Sequence, residues 1–291
     1  MEPIEGKILG KQVDYPQHYS PHILVAVPRA LNREMYGLDE QALPFCGKDV
    51  WHAYELSFLT QKGLPVAGLL KFTYPAHSAF LVESKSLKLY LNGFNMSRYG
   101  QSPEEGLQEV LNLIRKDLEE LLQTQVDLSF HQGSAQASAF DFKDYELLEQ
   151  LPESRQLNFD DFKENPALLT AADQQGVFQV ATHLLRSNCK ITHQPDWGSA
   201  YIHIKGACLP DKGALLRYLV SIRNENHFHE EICEMIYKRL WDRFEPEELM
   251  VSCIYTRRGG IDICPLRASS THLLPQHLAN AASLSQKLLQ Q

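Results

Sequence analysis

Trp51-His-Ala-Tyr-Glu-Leu-Ser-Phe-Leu-Thr60 is the stretch on which the fold turns. Tyr54, Leu56 and Phe58 fall on one side of an extended chain and Glu55 and Ser57 on the other, the period of two of a half-buried strand. After the turn residues Lys62-Gly63, the positions Leu70, Phe72 and Tyr74 repeat the pattern, so the two runs form a hairpin. A helix follows. Ser102 caps it, Pro103 takes its first position and Glu105 completes a capping box. Leu107, Val110, Leu111, Ile114, Leu118, Leu121 and Leu122 then make one apolar stripe at helical spacing. Val126, Leu128 and Phe130 begin another strand.

The second half has a similar order. Phe178, Val180, Thr182 and Leu184 alternate, as do Ala200, Ile202 and Ile204. Asp211 caps a helix with Leu215, Leu219 and Ile222; a further helix carries Ile232, Ile236, Leu240 and Phe244 and stops at Pro246. Leu249 to Tyr255 and Ile261 to Ile263 flank Gly259-Gly260, a hairpin turn. Hairpins flanking helices are an α+β plan, not alternating β-α units. Between the halves lies His131-Gln-Gly-Ser-Ala-Gln-Ala-Ser138 and a polar stretch to about Gln175. The expected division is a first module at 1–134, a linker and peripheral segment at 135–174, and a second module at 175–291. Leu87-Lys-Leu-Tyr90-Leu91 aligns with Leu215-Leu-Arg-Tyr218-Leu219, a short identity at matching places that suggests duplication.

Composition narrows the function classes. A formal charge of −8 over 291 residues disfavours a dedicated nucleic-acid binder, which needs a basic face for phosphates. A local basic pocket for a small anion stays open. No apolar run reaches the roughly 20 residues of a membrane span, and Ile23 to Val27 stops at Pro28. The amino terminus shows no basic region followed by an apolar stretch, so no secretion signal is expected. The six cysteines include no C-x-x-C pair and read as reduced thiols of a cytosolic protein.

Four segments carry possible chemistry. In Ser187-Asn188-Cys189-Lys190-Ile191-Thr192-His193-Gln194-Pro195-Asp196-Trp197-Gly198, Pro195 disfavours helix and implies an irregular connection between strands. Arg186 and Lys190 would favour a Cys189 thiolate if they are close in space, and Asp196 supplies a carboxyl able to move a proton. A lone cysteine is also commonly a small core residue. In Asn226-His227-Phe228-His229-Glu230-Glu231, Glu230 can accept N–H donors from a base with Phe228 or His229 against its plane; taken alone, the segment reads first as a solvated acidic first turn. Glu83-Ser84-Lys85-Ser86-Leu87-Lys88-Leu89-Tyr90 suits a polar base and a phosphate, or is a capped helix with exposed lysines. Tyr255-Thr256-Arg257-Arg258-Gly259-Gly260 suits a phosphate, or is a solvated turn. No G-x-G-x-x-G follows a strand, so a Rossmann site is unsupported.

Together these four segments, in this order, resemble the nitrile reductases of queuosine biosynthesis, the 7-cyano-7-deazaguanine reductases, in their long two-module form. The resemblance runs over essentially the whole chain. It implies tandem tunnelling-fold modules, a deazapurine substrate, NADPH as cofactor, no metal, no direct contact with nucleic acid or membrane, and a homodimer. By resemblance Cys189 matches the nucleophile that forms a covalent thioimide with the nitrile, and Asp196 the proton donor. Val82, Glu83, Ser84, His229 and Glu230 match substrate-binding positions. Ser84, Lys85, Arg258 and Gly259 match NADPH-binding positions. The physical account agrees, because a nitrile carbon is a poor hydride acceptor until a thiolate has added to it. Glu83 and Ser84 stand only in the first half, Cys189 and His229-Glu230 only in the second, so the pocket should form where the halves meet. Cys233 lies on an apolar stripe and reads as core. A purine or pterin hydrolase using Cys189 with His193 as metal ligands, and a non-catalytic base-binding module, are the competing readings.

Overall fold

Alternation in the sequence becomes one large sheet whose long strands pair antiparallel. The computed structural model describes residues 16–133, 135–288 and 291; the amino-terminal stretch examined for a secretion signal and the module boundary at 134 lie outside the described residues. Strands β1 (Cys46–Leu59) and β2 (Pro65–Pro75) form the first hairpin, with Gly63 at φ 85° in its turn. Helices α1 (Ser84–Asn92) and α2 (Pro103–Leu122) follow, and β3 (Asp127–His131) pairs with β2. In the second half β4 (Gly176–Cys189) and β5 (Pro195–Gly206) form a hairpin. Helices α3 (Lys212–Ser221) and α4 (His229–Phe244) come next, then the hairpin β6 (Glu248–Tyr255) and β7 (Ile261–Ala268). The order across the main sheet is β4-β5-β6-β7-β1-β2-β3, so β7 against β1 joins the halves without a break. The α+β reading holds, with antiparallel pairing throughout these seven strands.

Both long hairpins carry a bulge, between Ala53 and Leu56 in β1 and between Thr182 and Leu185 in β4. An inserted residue shifts the pleat, which the simple period of two missed. Tyr54 therefore leaves the face of Leu56 and Phe58, and its hydroxyl donates to Asp262 at 2.7 Å. Leu184 is 39% exposed, and Leu185 is buried in its place. Helix caps follow the local sequence closely. Ser102 Oγ accepts from the Glu105 amide at 3.2 Å and Asp211 from the Ala214 amide at 2.8 Å, while Glu105 reaches back to the Gln101 amide, one residue before the expected one.

One face of the sheet packs the helices. Leu56, Phe58, Leu70 and Phe72 meet Leu87, Val110, Ile114 and Leu118 in the first half. Ile202, Ile204, Val251 and Cys253 meet Leu215, Leu219, Ile232 and Ile236 in the second. Each fully buried aliphatic or aromatic side chain contributes roughly 1.5–3 kcal/mol. The opposite face is also covered. Phe140, Phe142 and Tyr145 and the carboxy-terminal segment lie over Val50, Tyr201, Met250 and Leu266. Lys71, buried in β2, donates to the carbonyls of His277 and Ser283 at 2.9 and 2.7 Å, and Lys287 pairs with Asp262 at 3.0 Å.

Between the two helix-side cores runs a buried ionic seam. Arg29 pairs with Asp49; Arg267 bridges Asp49 and Glu234, both at 2.8 Å; Arg33 holds both oxygens of Glu234 at 2.8 and 3.0 Å. All five side chains are at most 3% exposed. Such a seam holds together because every charge has partners, and removing one strands the rest in a low-dielectric interior.

Candidate active site

A cleft of about 290 Å³ opens where the halves meet, and it collects every residue that the resemblance assigns to catalysis, substrate or cofactor. Three backbone features assemble it. The strand Asn226–His227 runs parallel to the end of β4, with His227 opposite Cys189, and so brings the start of α4 to the thiol. Asp196 follows across a tight turn, because β4 and β5 pair through Asn188 with Pro195. The connection expected to be irregular is thus a hairpin, with Cys189 ending one strand, Asp196 second in the next, and His193 at φ 54° between. Third, the Thr256 amide donates to the Trp197 carbonyl at 2.9 Å, which carries Arg258 and Gly259 past Asp196. Val82, Glu83, Ser84 and Lys85 arrive from the other half on the strand Phe80–Val82 and the first turn of α1.

Glu83 has a double task. Its carboxylate caps α1, accepting from the amides of Lys85 at 3.0 Å and Ser86 at 2.7 Å, while the residue lines the cleft. Glu230 is 2% exposed at the first turn of α4, and its Oε1 has no hydrogen-bond partner among the described residues. Burial first, and then nearby Asp49, push its carboxyl up to about 8. His229 stacks on Tyr255 with ring centroids 3.7 Å apart and planes 7° from parallel. Burial drives its imidazole down to about 3, so it is neutral at pH 7. Its Nε2 faces Asp196 Oδ2 at 3.4 Å, which favours the Nε2–H tautomer and leaves Nδ1 as an unpaired acceptor.

Cys189 is half-buried on the same wall. Its basic sequence neighbours have other partners. Lys190 is tied to Glu231 at 3.0 Å, and Arg186 lies over the Trp197 ring and donates to the Arg223 carbonyl. The cation at this end of the cleft is Arg258, whose guanidinium donates to Asp196 Oδ1 and, at 2.7 Å, to Gln194 Oε1. Gly259 and Gly260, at φ 58° and 79°, make the two-residue turn between β6 and β7. A Cβ on Gly259 would sit 2.8 Å from Lys88 Nζ, so the glycine makes room for that lysine.

Sequence reasoning missed Trp51, Lys88, Gln194 and Ile263 as cleft residues. Lys88 had a usable signal, standing one helical turn after Ser84; Trp51 had none, being indistinguishable from core along its strand. The metal reading of Cys189 with His193 gains nothing, because the His193 ring bonds the Asn226 side chain at 2.9 Å. Among the described residues, the group with metal-ligand geometry is His52, Asp262 and Cys264, without Cys189. Cys233 is core, its thiol donating to the carbonyls of Val251 and Pro265.

The class these features define is an α+β protein with a cleft, where its two halves meet, lined by buried acid groups and a thiol. The comparisons make the class particular. A family model described as nitrile reductase, 7-cyano-7-deazaguanine-reductase N-term, matches residues 15–130, and one described as QueF-like protein matches 195–272. The NADPH-dependent 7-cyano-7-deazaguanine reductase of Dechloromonas aromatica is 38% identical over 278 residues, covering 95% of each chain. That of Azoarcus sp. is 40% identical over 266 residues, covering 91% of each. This chain belongs to the NADPH-dependent 7-cyano-7-deazaguanine reductase family. Among solved structures, an archaeosine synthase QueF-like in the apo form aligns with 33% of this chain and 94% of its own, at 14% identity and a TM-score of 0.31, below what establishes a shared fold.

Proposed function

We propose that this chain reduces the nitrile of 7-cyano-7-deazaguanine to the primary amine 7-aminomethyl-7-deazaguanine with two NADPH, for queuosine biosynthesis. The observation that carries the reading is the convergence of Cys189, Asp196, His229, Glu230 and Glu83 on one cleft in a member of this family. Glu230, aided by Glu83 and His229, holds the N–H edge of the base, and Val82 lies against it. The Cys189 sulfur adds to the nitrile carbon: the S–C bond forms, one C–N π bond breaks, and the thiol proton ends on the nitrogen as a thioimide. Asp196 moves that proton and those that accompany the two hydrides.

The cleft also suits NADPH, a polyanion. Ser84 opens α1, and Lys85, Lys88 and Arg258 line the same walls with Gly259 leaving space beside Lys88. When bound, the nicotinamide supplies hydride; these residues bind its phosphates. We further read the architecture as tandem tunnelling-fold modules at 1–134 and 175–291 around the peripheral segment 135–174. The matched bulges at Ala53/Leu56 and Thr182/Leu185 support this division. The working unit we take to be a cytoplasmic homodimer without direct nucleic-acid contact.

The test mixes protein, 7-cyano-7-deazaguanine and NADPH and follows the absorbance of the reduced cofactor. Two NADPH should disappear per amine formed. Without NADPH, intact-mass measurement should show a covalent adduct that Cys189→Ala lacks while still binding the base. An adduct on another cysteine, or none, defeats the covalent route.

A further inference from the structure

We propose that Arg258 has two partners in turn: it holds Asp196 in the free protein and leaves it for a phosphate of NADPH, so that cofactor loading frees the proton carrier. The inference rests on the function proposed above. Asp196 is 3% exposed and fixed by β5, whereas the Arg258 side chain is 39% exposed and stands at the edge of a two-glycine turn. The Arg258 fork closes on Asp196 Oδ1 and Gln194 Oε1. The second oxygen of Asp196 meets only the His229 ring, which is neutral. Among the described residues, Arg258 is therefore the one full charge within ion-pair distance of Asp196.

A carboxylate gripped by a guanidinium has no proton to deliver and little tendency to take one. Addition of the Cys189 thiol across the nitrile leaves its proton in transit from sulfur to nitrogen, and each later hydride is matched by one proton. Pairing with Arg258 slows that transfer, and departure of the guanidinium speeds it. A phosphate monoester offers nearly two negative charges and three acceptor oxygens, which a guanidinium fork prefers to one carboxylate oxygen. The exposed Arg258 has the freedom to make that exchange, and Lys85 and Lys88 line the same cleft with positive charge suited to an anion.

The experiment follows covalent adduct formation from 7-cyano-7-deazaguanine without any reductant, between pH 3 and 8, a window that takes in the ordinary aspartate range. In the wild type the rate should fall with rising pH as Asp196 loses its proton. Oxidised NADP⁺, which has no hydride to give, should move that limb upward by about one pH unit or more, the usual effect of a paired guanidinium. Arg258→Ala should show the moved limb without NADP⁺ and no further movement with it, while Arg258→Lys should stay near the wild type. Other groups facing the site are Cys189 on the same hairpin, Glu230 and His229 on α4, and Glu83, Lys85 and Lys88 on α1. Asp196→Asn, lacking the limb, identifies it. Adduct formation with a limb moved by neither NADP⁺ nor Arg258→Ala overturns the inference alone. A limb moved by Arg258→Ala but not by NADP⁺ overturns the exchange. No adduct in the wild type overturns the covalent function, and this inference with it.

Discussion

Base binding should release a proton from Glu230. The carboxyl is pushed up to about 8, so at pH 7 about nine-tenths of free protein holds it protonated. A guanine-like edge presents N–H donors and is best met by a carboxylate, with charge-assisted bonds roughly twice as strong as neutral ones. Ionising the group at pH 7 costs about 1.4 kcal/mol, one unit of pKa, and that cost shrinks as pH rises. Affinity should therefore climb about tenfold per pH unit from pH 6 toward 8 and then level off. The probe is 7-deazaguanine, which has no nitrile and cannot form the adduct. Calorimetry in two buffers of different ionisation enthalpy should show about one proton leaving per base bound at pH 7. His229, near 3, stays neutral in this window. Glu230→Gln should bind more weakly at pH 8, with neither proton release nor pH slope. The same group makes a stability signature of opposite sense. Folded Glu230 keeps a proton that the unfolded chain loses above about 4.5, so the pH-dependent cost of its burial is absent below that pH and grows by about 1.4 kcal/mol per unit up to 8. Glu230→Gln should raise the melting temperature more at pH 8 than at pH 5. Wild-type affinity that is flat from pH 6 to 8, with no proton released, would refute the reasoning.

Other perturbations separate the remaining roles. Asp196→Asn keeps the shape but cannot carry the proton, and turnover should drop by roughly 10²–10⁴; a near-normal rate at pH 7 removes Asp196 from the mechanism. Lys85→Ala should raise the Michaelis constant for NADPH with little change in base affinity, and by less at high salt where screening weakens the wild-type contact. Full retention of the preference for NADPH over NADH would place the phosphate elsewhere. Arg267→Ala leaves Asp49 and Glu234 short of a buried partner and should lower the unfolding free energy by about 3–5 kcal/mol in denaturant titration. A change under 1 kcal/mol would mean that water or a neighbour replaces the guanidinium.

Local rules made much of this chain legible. Period-two runs located the hairpins at β1–β2, β4–β5 and β6–β7, and polar residues at Ser102 and Asp211 located helix starts, because each depends on neighbours a few residues away. Long-range pairing was not legible by those means. Arg267 finds Asp49 across 218 positions, and no pattern near either residue announces it. The same limit bears on the Cys189 hairpin. Sequence offered Lys190 and Arg186 as cations for the thiol if they came close in space; the structure pairs Lys190 with Glu231 and lays Arg186 over Trp197, while Arg258 reaches Asp196 from another hairpin.

The buried seam gives a reason why Glu230 can serve as a base receptor. Arg29, Arg33 and Arg267 bring three positive charges against Asp49 and Glu234, with Glu40 meeting Arg33 only at the half-exposed rim. The deep part of the seam is one negative charge short. Burial and Asp49 keep Glu230 protonated in the empty cleft, but Arg29 and Arg267 both favour its ionised form. When a base brings N–H donors to the vacant Oε1, the lost solvation is replaced and the new charge balances the seam. Substrate recognition and the internal charge balance of the fold then depend on the same carboxyl group, which ties the pH slope of binding to that of stability.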